Sequence, residues 1–194
     1  MIIRDYEKND EVSWLRCRVL SFLDTAYYDH VLIEKEHYDN PSIELIAAQD
    51  NIVIGFIDLE LDTSNKRVCS NRTGLGGMVW HLGVHPDYRK TGIGKTLLEE
   101  AITRAKAVQI ERLEAWTRDD LWVNEWYVNR GFQRIDSYLQ VYMQTAIEIE
   151  GTILSQVPEL YPVSLFAHYV GEDRQKIKEQ FSRVHETNLY ELIF

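Results

Sequence analysis

The segment with the clearest chemical content is Arg89-Lys90-Thr91-Gly92-Ile93-Gly94-Lys95. It joins a short apolar run to an amphipathic one. The first turn of a helix leaves backbone N–H groups without partners, and together with the helix dipole these form an anion site. Glycine accepts positive φ and lets a phosphate approach the backbone closely. Arg89, Lys90 and Lys95 add positive charge. A phosphate-bearing ligand follows from these features. A plain turn shaped by Gly92, with Gly94 packed on a strand, is the alternative from the same residues.

Two common phosphate motifs do not fit. Gly94-Lys95-Thr96 resembles the end of a P-loop, but Arg89 stands where that loop needs its first glycine. A dinucleotide fingerprint beginning at Gly92-Ile93-Gly94 would need glycine at Leu97, which lies on an apolar helix face. Nucleotide hydrolysis and hydride transfer are both disfavoured.

The elements around the loop follow from apolar periodicity. Ile2 to Asp5 reads as a strand, and about Asp10 to Tyr28 as a helix with Val12, Leu15, Val19, Phe22 and Leu23 at helical spacing. An irregular stretch containing Asn40-Pro41 follows. Ile43 to Gln49 and Ile52 to Leu61 flank Asp50-Asn51 as a hairpin. Asp62 to Gly77 is polar and glycine-rich, a loop. Met78 to Val84 is a strand stopped at Pro86. Gly92 to Val108 is a helix lined by Ile93, Leu97, Leu98, Ala101, Ile102 and Ala105. Arg112 to Trp116 is a strand, and Asp119 to Asn129 a helix with Gly131 at its C′ position. Phe132 to Met143 is a strand. The remainder reads as a strand (Val163 to Val170), a helix (Glu172 to His185) and a terminal strand (Leu189 to Phe194). No linker divides the chain, so residues 1–194 are expected to form one domain, with a core to about 146 and a C-terminal part of 147–194.

In this setting Arg89-Lys90-Thr91-Gly92-Ile93-Gly94 matches R-x-x-G-x-G. With its lead-in from Leu82 to Tyr88, it resembles motif A of the GNAT superfamily of N-acetyltransferases. Further along, Asn124-Glu125-Trp126-Tyr127-Val128-Asn129-Arg130-Gly131-Phe132 is similar to motif B, a helix that carries a tyrosine and ends before Gly-Phe. The resemblance covers roughly Ile2 to Met143 and matches the tail only loosely, through an expected seventh strand near Val163 to Val170. It implies an α/β (α+β) fold: a central, mixed, mostly antiparallel twisted sheet flanked by helices, here with a C-terminal strand-helix-strand extension.

The resemblance also implies a reaction. An amine would attack the thioester of acetyl-CoA, and coenzyme A would leave as a thiolate. The amides of Arg89, Lys90, Thr91, Gly92, Ile93, Gly94 and Lys95 would wrap the pyrophosphate. Leu82, Gly83 and Val84 would offer backbone groups to the pantetheine arm and the thioester carbonyl. Tyr127 would act as general acid. His81 and Glu114 are candidate bases for the amine proton. Strand alternation puts His81 opposite Trp80, Leu82 and Val84 unless a bulge intervenes. Asn124 and Asp120 fall near the cofactor by position. The family often has asparagine where Asp120 stands, and a carboxylate cannot donate as an amide does. Asp24, Tyr27, Tyr28 and Trp80 could hold a cationic acceptor. A binding-only acyl-CoA sensor and a phosphate-loop nucleotide enzyme are the alternatives.

Composition bounds the partners. Of 194 residues, 31 are acidic and 21 basic, a formal charge of −10, which argues against nucleic acid and suits a cationic amine, whether a small molecule or a protein amine. No apolar run is long enough to span a membrane, and the N-terminus does not read as a secretory signal. Cys17 and Cys69 are isolated. A cytoplasmic protein is expected, and a homodimer is compatible with all of this. His81 and His85, about 13 Å apart along a strand, cannot share one ion, so no metal is expected.

Overall fold

The computed structural model describes residues 1–70 and 74–194. Its strands are β1 (Ile2–Asp5), β2 (Ser42–Gln49), β3 (Ile52–Leu61), β4 (Gly76–Val84), β5 (Arg112–Thr117), β6 (Gln133–Met143), β7 (Leu165–Tyr169) and β8 (Arg183–Ile193). Its helices are α1 (Glu11–Phe22), α2 (Ile93–Ala107), α3 (Leu121–Val128), α4 (Ala146–Ile149) and α5 (Arg174–Gln180). The strands form one mixed sheet in the order β1-β2-β3-β4-β5-β8-β6-β7. The β4–β5 pairing is parallel and the others are antiparallel.

The hairpin between β2 and β3 turns on Asp50 and Asn51, both at positive φ (51° and 62°), as a two-residue turn matched to strand twist requires. On one face α1 buries Trp14 and Cys17 against Ile46 and Phe56. On the other, α2 lays Leu97, Leu98 and Ala101 on Ile57 and Leu59, with Tyr127 and Phe132 in the same cluster.

Four expectations change. Helix α1 ends at Phe22 rather than Tyr28. The Thr25 hydroxyl donates to the Phe22 carbonyl (2.8 Å) and accepts from the Tyr27 amide (3.1 Å), a local side-chain bonding pattern that competes with helix continuation. The C-terminal helix stops at Gln180, and Phe181 turns into a small core with Leu139, Val141, Met143 and Ile149. The strand that follows is long, and it inserts between β5 and β6. The segment Val163 to Val170 supplies the expected strand, β7, which pairs with β6 at the end of the strand order. Pairing on both edges of β8 satisfies the backbone of a polar run, Glu186-Thr187-Asn188, that carries no strand pattern. The expected loop Asp62 to Gly77 gives way to β4 at Gly76, and its residues 71–73 lie outside those described.

Candidate active site

Strands β4 and β5 pair only from Gly76↔Arg112 to Val79↔Ala115. Beyond Val79 they part, while β4 stays paired with β3 to Val84. The edge of β4 from Trp80 to Val84 therefore opens on a cleft of about 1000 Å³. The same cleft is lined by the loop before α2 and by residues of α1, α3, β6 and β8.

One end is made of backbone. Lys90 and Gly92 take positive φ (61° and 93°), which turns the chain into the first turn of α2. No acceptor among the described residues receives the amides of Lys90, Thr91, Gly92, Ile93, Gly94 or Lys95, and the first intrahelical bond runs from the Thr96 amide to the Gly92 carbonyl. A Cβ on Gly94 would lie 3.5 Å from Val84 and 3.7 Å from Trp126, ordinary contact distances. Packing alone therefore does not require glycine there, whereas close approach of a phosphate to the amides does. Gly83 differs, because a Cβ there would strike the Phe56 ring. Arg89 does not stand free. It donates to Asp24 at 2.5 and 2.9 Å and to the Ser21 carbonyl at 2.8 Å, with its guanidinium 5.2 Å from the Trp122 ring. These groups fit a pyrophosphate: a row of unpaired amides at a helix N-terminus, with glycines where the backbone must be approached.

Tyr127 lines the cleft from α3. Its ring stacks on Tyr190 (5.6 Å) and meets Trp126 and Phe132 edge-on. Burial drives its pKa up, and its hydroxyl has no hydrogen-bond partner among the described residues. A proton is thus retained on a group that nothing else engages.

The other end is made of side chains. Asp58 pairs with His81 but Leu59 with Val79, so Trp80 is an extra residue, a β-bulge. The bulge breaks the alternation that would have put His81 and Trp80 on opposite faces. Both line the cleft. His81 hydrogen-bonds through Nε2 to Glu36 and lies edge-on to Trp14. That bond holds the Glu36 carboxyl below its ordinary pKa. Trp80 donates to Glu60 at 2.8 Å.

Several expected residues have other partners. Glu114 is fully buried on β5, does not line the cleft, and accepts from the Ser70 amide (2.8 Å), the Ser70 hydroxyl and Arg112. It is a fold carboxylate rather than a base at the reacting end. Asn124 donates to the carbonyls of Arg118 (2.7 Å) and Asp120 (2.8 Å) and accepts from Asn188 and Tyr190, so it fastens α3 to β8. Asp120 lines the cleft, but its carboxylate accepts the Ala26 amide and so anchors the chain after α1. The suggested cation site is divided: Asp24 serves Arg89, Arg118 lies 4.2 Å over Tyr27, and Arg183 lies 4.6 Å over Tyr28. Glu36, Arg18 and His30 are cleft residues that periodicity did not single out. Two of them come from the irregular stretch after α1, where spacing carries no signal.

Solved structures share this architecture. A ribosomal-protein-alanine N-acetyltransferase from Brucella melitensis aligns over 100% of both chains at 15% identity, TM-score 0.60. NAA60 from Arabidopsis thaliana, in complex with a bisubstrate analogue, aligns over 99% of this chain and 97% of its own at 14% identity, TM-score 0.59. A putative streptothricin acetyltransferase from Bacillus anthracis, in complex with acetyl coenzyme A, aligns over 89% and 70% at 16% identity, TM-score 0.50. At such identities the likeness is one of fold. No curated protein matches the sequence. The sequence pattern of the Acetyltransferase (GNAT) family matches residues 5–134, a span that holds the amide loop, the bulged strand and Tyr127, and the chain belongs to that family.

Proposed function

We propose that the protein transfers the acetyl group of acetyl-CoA, the cosubstrate of its family, to a primary amine by direct attack within a ternary complex. The observation that carries this reading is the unengaged, protonated Tyr127 hydroxyl in the same cleft as the unpaired amides of Lys90 to Lys95. The amides bind the pyrophosphate, and the open edge of β4 aligns the pantetheine arm. A backbone amide of that edge stabilises the oxyanion that develops at the thioester carbonyl. Tyr127 gives its proton to the departing sulfur. At the far end His81, held by Glu36, takes the proton that the amine must lose. The bond formed is the amide C–N, and the bond broken is the thioester C–S.

Isolated free cysteines, both buried, agree with a reducing compartment, and we assign the protein to the cytoplasm on that ground. Among the described residues no helix is long and apolar enough to cross a membrane.

The test is a panel of primary amines, alcohols and thiols offered with acetyl-CoA, with free thiol release and acetylated product followed together. Steady, amine-dependent release of both is expected. Turnover of hydroxyl or thiol acceptors alone would sink the proposal.

A further inference from the structure

Among the described residues, four lysine and arginine side chains are buried: Arg18, Lys35, Arg112 and Arg118. Three have a carboxylate. Lys35 pairs with Glu44 (2.5 Å) and Asp58 (2.9 Å), Arg112 with Glu114 and Glu191, and Arg118 with Asp29 at 3.9 Å. Arg18 is the exception. It is 1% exposed, it lines the cleft, and it pairs with no carboxylate among the described residues. Its guanidinium donates to the His30 carbonyl (2.8 Å) and meets His30 Nδ1 (3.2 Å), while Nε is buried with no partner at all.

Burying a cation without a counter-charge is costly, and a planar fork is suited to a carboxylate. The carboxylates that act on Arg18 from a distance are committed elsewhere, Glu36 to His81 and Asp58 to Lys35. Burial, and then Arg18 itself, hold His30 below its ordinary pKa, so its ring is neutral at neutral pH. Arg18, Glu36 and His81 line the same cleft, and both Arg18 (5.0 Å) and the His81 ring (6.5 Å) lie near the Phe22 centroid. A ligand in that cleft meets both groups.

We propose that the acceptor is an amine that also carries a carboxylate, with Arg18 as the carboxylate's partner and the amine turned toward His81 and Glu36. This rests on the acetyltransferase reading and narrows it. The acceptor end recognises a dipolar, amino-acid-like molecule rather than the purely cationic amine that the net charge suggested.

The experiment measures kcat/KM with acetyl-CoA for matched acceptors: amino acids, their C-terminal amides and the corresponding decarboxylated amines. An arm of peptides with an acidic side chain separates a free amino acid from a polypeptide as the source of the carboxylate. The acids should exceed their amides by tenfold or more, and Arg18→Gln should bring that acid-to-amide ratio close to one. Amides or plain amines used as well as the acids would overturn the proposal, and so would a preference that survives in folded Arg18→Gln. If that variant does not fold, the acid-to-amide ratio of the unaltered protein still decides. Failure of every amine would refute the acetyltransferase reading itself, a result distinct from equal use of acids and amides.

Discussion

The two ends of the cleft are built from different material. The end proposed to hold acetyl-CoA is backbone: unpaired amides from Lys90 to Lys95, a left-handed Gly92 and an open strand edge. The end proposed for the acceptor is side chains: His81 on Glu36, Arg18 on His30, Trp80 on Glu60. A ligand shared by a whole family can be held by groups that every residue type supplies. An acceptor that varies between members must be read by groups that vary. Polar side chains outside the cleft sort differently again, since Glu114 and Asn124 hold elements together.

That sorting is broken most forcefully at Glu114. Its carboxylate is 0% exposed and meets Arg112 and Ser70. Removing one partner of a buried ion pair costs about 3–5 kcal/mol. Glu114→Gln should lower stability on that scale in denaturant unfolding while kcat, measured well below the transition, stays near normal. A stable variant without turnover would return Glu114 to the reaction.

Tyr127→Phe tests the junction between the ends. It keeps the stack on Tyr190 and removes only the hydroxyl. Turnover should fall about 10²-fold or more, the low end for a general acid, with acetyl-CoA affinity little changed. Near-normal turnover at saturation, with product release shown not to limit, would leave Tyr127 as packing.

Gly94→Val probes the backbone end alone. The free protein has room for a Cβ there, so the variant should fold. The new side chain crowds the phosphate approach instead, and acetyl-CoA should bind tenfold or more weaker, about 1.4 kcal/mol by calorimetry. Unchanged affinity would show that the glycine only shapes the turn.

The same division decided what could be read from the sequence. Backbone requirements leave marks in residue type: glycines before a periodic helix, Asp50-Asn51 between two strands, Gly131 after α3. These located the hairpin, α2 and the amide loop. Side-chain convergence leaves none. Glu36 meets His81 across the α1–β2 connection and depends on a bulge at Trp80 that no residue there announces. Strand β8 is polar where it crosses the middle of the sheet, because its pairing with β5 and β6 outweighs its own pattern. The strand expected near Val163 to Val170 forms, as the edge strand Leu165–Tyr169.

The smallest predicted effect concerns the contact that ties the loop to α1. Arg89 leaves the amide loop to grip Asp24, just past the end of the helix that also carries Arg18. Asp24 is largely exposed, with 59% of its side chain open, and such a pair contributes about 0–1 kcal/mol. If the pyrophosphate recruits Arg89, it must compete with Asp24, and Asp24→Asn should tighten acetyl-CoA by up to about fivefold. If Arg89 instead serves as a strut that keeps the loop on α1, the same change should weaken binding. The hydrogen bond from Arg89 holds the Asp24 carboxyl below its ordinary pKa. The pair is therefore intact above the ordinary carboxylate range and is lost as pH falls through the depressed value. The gain from Asp24→Asn should accordingly be largest at neutral pH, shrink toward acid as Asp24 protonates, and shrink again with added salt. Titrations of both proteins across pH and salt separate competitor from strut, because only a competitor gives a gain at all.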